Sequence, residues 1–519
     1  MMAPVSGSAA DRLPRLREAA AAQLSANWRE GATPDGVEYG YTRPDTRKFP
    51  DQFFWDSCLH AVAWRHLDPA RARRELRTLL AAQRPDGLIG HTIFWHAPVR
   101  LARRHTYNLL HHRDRATATI QPPLLAWAWA EVAERSPDDP GFAREGLAGL
   151  IRYHDWLDRE RAEPDGLLRI IQPDESGMDA TPAYDGPLGR SAHPSPGFVL
   201  MMRANRGRGF DYRRTRAAGG FHAVDVLVNM AWALSWAGLA RLGHPGARER
   251  AEAITAEMVA RLWDPDVGFF FPRGPDDSPL RVSTWAGLAP LALPALPEEV
   301  GRRLVEEHLL SRTRFWLPFP VPSVSAEEPS FRPGRVGFPI ERYWRGPTWL
   351  FSTRFVLEGL LRLGYRDAAA HLARRTAELV LARGFHEYYN PISGRGHGGR
   401  GFAVSTMALD CLARAGLQAP ASQVYRHEMP GGPPAGARVA ERYSSQLMGA
   451  STAVQRSTPA PPLPRSLPGP PLRTSLPPSP KIRSAPSCPS ITSLPSPPRS
   501  RSAPAPPRIR SPPGPPRTM

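Results

Sequence analysis

The chain has 519 residues, enough to bury a large core, and carries a formal charge of +18 from 67 basic and 49 acidic side chains. Ten of those positive charges lie in residues 451–519, which also hold 22 prolines and no Asp or Glu. Such a segment cannot bury enough apolar surface to offset the entropy of ordering it. A disordered tail is therefore expected over residues 421–519, after a folded body at 1–420. The body's remaining excess forms no dense basic stripe interleaved with aromatics, which argues against a nucleic-acid partner.

Helical periods dominate the body. A first helix reads at Asp11–Trp28 and is followed by a loop carrying Tyr39, Tyr41 and Lys48. A second helix runs from Trp55 to His66. Asp68-Pro69 opens the third: Asp caps the first amides, and Pro fits the first helical position, where its missing N–H costs nothing. Leu76, Leu79 and Leu80 give that helix an apolar face, and Pro85-Asp86-Gly87 ends it. Further helices read at Ala116–Ala133, Gly141–Leu157, His222–Leu242, Pro245–Leu262, Ser283–Leu293, Pro297–Leu310, Pro347–Leu363, Asp367–Ala382 and Phe402–Ala415.

These twelve form six pairs. In most pairs one member is apolar nearly all round, as in HAVDVLVNMAWALSWAGLARL, and the next is charged and amphipathic, as in PEEVGRRLVEEHLL. A helix apolar on every face must be buried on every face, with an amphipathic one covering it. The predicted fold is all-α, an (α/α)6 toroid. Long loops at Glu30–Phe54, His91–Thr117, Arg159–Gly219 and Ser311–Arg345 are expected to crowd one end of the ring and build a pocket there.

Cys58, Cys411 and Cys488 have neither disulfide nor metal spacing. His105, His111 and His112 lie in an Arg-rich stretch without a carboxylate at ligand spacing. No apolar leader and no run of eighteen apolar residues is present, so the sequence reads as cytoplasmic, without a membrane partner.

Chemistry gathers in four stretches. IIQPDESGMDATPAYD offers Asp174, Glu175, Asp179 and Asp185 around Gly177 and Pro182; these acids either aim into a pocket or cap turns. GFHEYYNPISGRGHGGRGF sets Glu387 among Phe385, Tyr388 and Tyr389, as a tuned acid or base or as a surface carboxylate beside core rings. FPDQFFWDSCLHAVAWRH places Asp56 at a helix start, for the helix or for sugar hydroxyls. PIERYWRGPTW puts Tyr343, Trp344, Arg345 and Trp349 around Gly346-Pro347, with Trp349 better suited to core than to pocket.

Together these stretches resemble glycoside hydrolase family 63 and its mannosylglycerate-hydrolase-like members. The similar segments are Phe53–Trp95, Glu175–Asp185, Glu341–Trp349 and Glu387–Phe402, in family order. The resemblance implies an (α/α)6 barrel and an inverting mechanism that needs no cofactor. Asp179 would be the general acid and Glu387 the general base. Phe54, Trp55, Asp56, Gln121, Tyr343, Trp344, Gly346 and Tyr389 would contact a small sugar substrate. Two departures are visible. Family members usually continue ESGMD with Asn-Ser-Pro, where this chain has Ala180-Thr181-Pro182. They often carry His-Pro-Trp before ESG, where this chain has Gln172-Pro173-Asp174. Trehalase, glucoamylase or debranching activity, an idle sugar-binding toroid, and a lyase or epimerase with a His or Tyr base remain as alternatives.

Overall fold

The computed structural model describes residues 9–96, 115–189, 196–334 and 343–416. The tail expected at 421–519 and His105, His111 and His112 lie outside them.

Among the described residues the helices are α1 (Ala9–Asn27), α2 (Phe54–Trp64), α3 (Pro69–Ala81), α4 (Leu125–Ala133), α5 (Leu147–Arg161), α6 (Pro196–Gly207), α7 (Tyr212–Ala217), α8 (Val226–Arg241), α9 (Ala247–Leu262), α10 (Glu298–Arg303), α11 (Leu350–Arg362), α12 (Arg366–Arg383) and α13 (Met407–Arg414), with shorter turns between. Neighbour contacts run from α2 to α4, from α4 to α8, from α8 through the turns at 285–292 to α11, then to α13 and back to α2. That is a closed inner ring of six elements. Outside it, α3 lies on α2, α9 on α8, α12 on α11 and α1 on α13. α5 covers α2 and α8, with Tyr153 against Phe54 and His154 against Trp236. The fold is the (α/α)6 toroid.

The apolar pattern explains the layering. Thirteen of the sixteen residues of α8 are buried, whereas α9 buries only Ala247, Ala251, Ile254, Thr255, Met258 and Leu262. This is the spacing of a single stripe facing the ring. Local signals set the ends: Asp68 accepts from Arg71 N at 3.0 Å to open α3, and Asp225 accepts from Val228 N at 2.7 Å to open α8.

Several expectations need correction. The helix expected at Ala116–Ala133 begins only at Leu125. Pro122 and Pro123 cannot donate to a helical ladder, so residues 116–124 run non-helically past the ring's mouth. The helix expected at Ser283–Leu293 is two 3-10 turns, Trp285–Gly287 and Ala289–Ala292. Gly287 is pressed on the Phe269 ring, where a Cβ would come within 2.2 Å. The loop expected at Arg159–Gly219 contains α6 and α7. Among the described residues, five two-stranded antiparallel ribbons also punctuate the connections, including Trp28–Ala32 with Glu38–Thr42 and His386–Tyr389 with Gly396–Arg400. No helix among those residues is long and apolar enough to cross a membrane.

Candidate active site

The inner helices present their N-terminal ends to one mouth of the ring, where a pocket opens. Its walls come from loops far apart in sequence: Pro44 to Leu59, His91, Gln121, Asp174 to Asp179, Tyr343 to Phe351, Glu387, and Phe402 with Val404. Half of the lining residues carry aromatic rings. Trp344 stacks on Trp349 at 4.0 Å, and Trp349 packs against Tyr388 at 5.3 Å. Trp349, expected in the core, is both packed and part of the wall.

Four carboxyl groups among the described residues line this pocket: Asp56, Asp174, Asp179 and Glu387. Asp56 sits in the first turn of α2, where burial pushes its pKa up to about 6. Asp174 belongs to the 3-10 turn Pro173–Ser176, and burial with the nearby charges of Glu175 and Asp179 raises it to about 7. Gly177 ends that turn at φ +74° and lies flat under Trp55; a Cβ there would come within 2.8 Å of the indole. The turn can therefore carry Asp179 to the mouth only with glycine at this position. Asp179 Oδ2 accepts the Tyr343 hydroxyl at 2.5 Å.

Glu387 is held by a separate set of partners. Its Oε2 accepts from Lys48 Nζ at 2.8 Å and from Gly399 N at 2.7 Å. Burial raises its pKa, and the Lys48 ammonium and the Gly399 amide oppose that rise. The Asp179 charge also acts on Glu387, so the two acids share one electrostatic site. The Gly-rich run after Glu387 has a steric role. A Cβ on Gly398 would approach Glu387 Oε2 to 2.5 Å, and one on Gly399 would approach Asp45 Oδ2 to 2.6 Å. Asp45 in turn accepts from Arg47 N and Lys48 N, at 2.7 and 2.9 Å, and shapes the loop that delivers Lys48.

The candidate residues divide as follows. Asp56, Trp55, Gln121, Asp179, Tyr343, Trp344 and Glu387 meet in the pocket. Phe54, Gly346 and Tyr389 stand behind it. Phe54 is buried against Tyr153, and its neighbour Phe53 lines the pocket. Gly346 donates to Ser323 Oγ at 2.8 Å, and the Arg332 backbone lies where its Cβ would be. The Tyr389 hydroxyl donates to Gly384 O and accepts from His386 N, and its backbone pairs with Thr348. These three shape the wall and do not line it. Glu175 makes a bidentate pair with Arg161 at 2.7 Å and takes the amides of Ile120 and Ile171, so it serves the fold. Asp185 pairs with Arg345 in the same bidentate manner.

Sequence reasoning gave no role to Lys48 or His91 and did not single out Asp174. Lys48 and Glu387 are 339 positions apart, and no local signal joins them. Burial lowers His91 to about 3, too weak a base near neutrality, and it holds Tyr343 well above the phenol range. Among the described residues no group of three or more His, Cys, Asp or Glu could hold a metal ion.

A family model described as the mannosylglycerate hydrolase MGH1-like glycoside hydrolase domain matches residues 49–405, a span that includes all four of these pocket carboxyls. The chain belongs to this family. A mannosylglycerate hydrolase of Rubrobacter radiotolerans is 31% identical over 437 residues, covering 72% of this chain and 93% of that protein. A glucosylglycerate hydrolase of Mycolicibacterium hassiacum is 28% identical over 414 residues, covering 67% and 88%. The crystal structure of a family 63 mannosylglycerate hydrolase from Thermus thermophilus, in complex with Tris and D-glycerate, superposes with a TM-score of 0.66 at 29% identity, covering 77% of this chain and all of that one. The chain is thus a glycoside hydrolase.

Proposed function

We propose that this glycoside hydrolase cleaves the α-glycosidic bond of a small hexosyl-glycerate, mannosylglycerate or glucosylglycerate, with inversion at the anomeric carbon. Asp179 is the general acid and Glu387 the general base. The observation that carries the reading is that these two acids, about two hundred residues apart, line one pocket and feel each other's charge.

As acid, Asp179 accepts the Tyr343 hydroxyl on Oδ2. Oδ1 then holds the proton and hands it to the glycosidic oxygen as the bond breaks. As base, Glu387 keeps Oε2 bonded to Lys48 and Gly399. Oε1 then orients and deprotonates a water attacking the opposite face of the sugar. Inversion needs the two carboxyls about 6.5–9.5 Å apart, to leave room for that water. Asp56 and Gln121 are suited to ring hydroxyls, since Gln121 Oε1 already fixes the Trp55 amide at 3.1 Å and so ties that wall to the helix start. Trp55, Trp344 and Phe53 offer apolar faces to the ring. The reading assigns the enzyme to the cytoplasm, which keeps free thiols such as buried Cys58 and Cys411 reduced.

The test is hydrolysis of mannosylglycerate and glucosylglycerate, with trehalose and α-gluco-oligosaccharides as comparators and the released anomer read by proton NMR. The β-hexose should appear first. Release of the α-anomer would overturn inversion, and faster cleavage of trehalose or an oligosaccharide would overturn the substrate class.

A further inference from the structure

The turn that carries the acid holds two adjacent carboxyls in opposite conditions. Glu175 is saturated: Arg161 takes both its oxygens, and the Ile120 and Ile171 amides complete it. Asp174 is held by one oxygen only. Its Oδ2 accepts from Gln172 Nε2 at 2.9 Å, and the Gln172 Oε1 accepts from Asn205 Nδ2 at 3.3 Å. Asn205 Nδ2 also bonds Ile171 O at 3.0 Å. A buried amide chain anchored on α6 therefore fixes the carboxyl from behind. Its Oδ1 is shut from solvent and has no hydrogen-bond partner among the described residues.

A carboxyl oxygen buried without a partner costs stability, and the cost is recovered when something bonds it. Asp174 lines the pocket with Trp55, Asp56, Gly177 and Asp179 and is itself only partly buried, so a turn of the carboxyl about its own bond brings Oδ1 to what the pocket binds. A sugar hydroxyl both donates and accepts. Asp174, raised to about 7, is available in both protonation states near neutrality and can complement either role. The remaining carboxyls of the pocket are already given work: Asp179 and Glu387 in bond cleavage, Asp56 at the ring.

We propose that Asp174 is a specificity-determining residue whose free carboxyl oxygen bonds one hydroxyl of the bound hexose beside the general acid. The proposal rests on the hydrolase reading for the nature of its ligand. It is tested with Asp174→Leu, which keeps the branched shape and removes the hydrogen bond, and Asp174→Asn, which keeps a hydrogen-bonding group. KM and kcat are measured on mannosylglycerate and glucosylglycerate. In parallel, the binding of D-mannose, D-glucose and their mono-deoxy forms to the full-length chain is followed by ligand-detected NMR. Asp174→Leu should raise KM about tenfold, the loss expected for one such hydrogen bond, with a smaller change in kcat. Asp174→Asn should stay within about threefold of the parent. One deoxy sugar should bind the parent more weakly than its full hexose yet bind Asp174→Leu no worse than the hexose does, because that variant no longer reads the missing hydroxyl. A core-packing role would not produce this cancellation. Unchanged KM in Asp174→Leu, or a deoxy penalty that persists in it, overturns the proposal. Should Asp174→Leu not fold, Asp174→Ala is put through the same cycle. Should neither glycoside be cleaved, the hydrolase reading of the substrate fails, while the hexose-binding arm still decides Asp174: the cancellation upholds it, and its absence, or no hexose binding at all, overturns it.

Discussion

Two buried acid clusters stand along the same inner helices and behave in opposite ways. At the mouth, Asp56, Asp174 and Glu387 all have raised pKa values, because burial outweighs the few positive groups near them. Farther along, Glu131 on α4 and Asp410 on α13 are enclosed by guanidinium groups. Arg65 bridges both acids, and Arg354 Nε bonds Asp410 Oδ2 at 2.6 Å. His66 adds a bond to Asp410 at 2.6 Å, and Arg241 reaches Glu131 at 2.9 Å. Burial is as complete there, yet the arginine charges win: Glu131 falls to about 2 and Asp410 lies well below the carboxylate range. The same residue types thus do different work. Acids matched by fixed arginines stay ionised and lock helices together. Acids left short of positive partners keep their protons to higher pH, Asp56 to about 6 and Asp174 to about 7.

The contrast breaks most sharply if the mouth is altered. Asp179→Asn and Glu387→Gln should each lower kcat by about a thousandfold or more, since each removes one of two roles used in the same step. Thermal stability should barely change, because neither acid closes an arginine network. The two variants should separate on an α-glycosyl fluoride, whose leaving group needs little protonation. Turnover should recover in Asp179→Asn and not in Glu387→Gln. Equal behaviour of the pair on the fluoride would remove the assignment of roles.

This division also marks what could be read from sequence. The helices were legible because α8 and α9 carry different apolar periods, and the four chemical stretches were legible as clusters of acid, aromatic and glycine. The errors are local. Phe54 and Phe53 differ by one position, and the turn from strand into α2 sends one ring to Tyr153 and the other to the pocket. Tyr389, expected to contact the sugar, instead closes its hydroxyl on Gly384 O. Lys48 and the Arg65–Glu131–Asp410–Arg354 cluster depend on partners tens to hundreds of residues away, so no spacing rule reveals them. Asp174 carries a signal only as the odd residue in its motif, and its open oxygen is visible only in three dimensions.

At the arginine-bound cluster the expected loss is of folding. Arg354→Met leaves Asp410 and Glu131 short of charge in the interior and should cost about 3–5 kcal/mol, read from urea midpoints. The molecules still folded should keep their kcat. The sign of the pH dependence follows from depressed acids. Their contribution is fully present above the ordinary Glu value of 4.5 and is lost as pH falls through the folded value, about 2 for Glu131. The stability gap between parent and Arg354→Met should therefore be widest above about pH 5 and shrink toward pH 2. A gap independent of pH would mean that the cluster packs the helices without charging them.

A smaller effect is expected where the mouth borrows the strategy of the other cluster. Lys48 brings an ammonium to Glu387, and its side chain is 41% exposed, so solvent weakens it relative to a buried arginine. Lys48→Met removes a positive charge that opposes the burial of Glu387, so the base should become harder to ionise. The acid limb of kcat/KM, where activity is lost as Glu387 takes up a proton, should move up by about one pH unit. On that limb the variant should be about tenfold slower at a given pH and should approach the parent at higher pH. A uniform loss at every pH would make Lys48 a substrate contact instead.

The smallest effect is expected from removing residues 421–519, which contribute to neither cluster as described. The family match ends at residue 405, and the Thermus relative is covered in full by 77% of this chain. The last described helix, α13, ends at Arg414, whose guanidinium bonds Glu358 at 2.7 Å and so finishes the arginine-bound cluster before the proline-rich sequence begins. A chain ending at Pro420 keeps every contact named here, and composition gives the removed part too little apolar surface to stabilise the ring. Its kcat/KM and unfolding midpoint should match the parent within about twofold and within about 0.5 kcal/mol, the range of changes that touch no packed feature. A larger fall in stability would extend the folded unit past α13. A fall in kcat/KM at unchanged stability would give the basic, proline-rich segment a part in substrate capture.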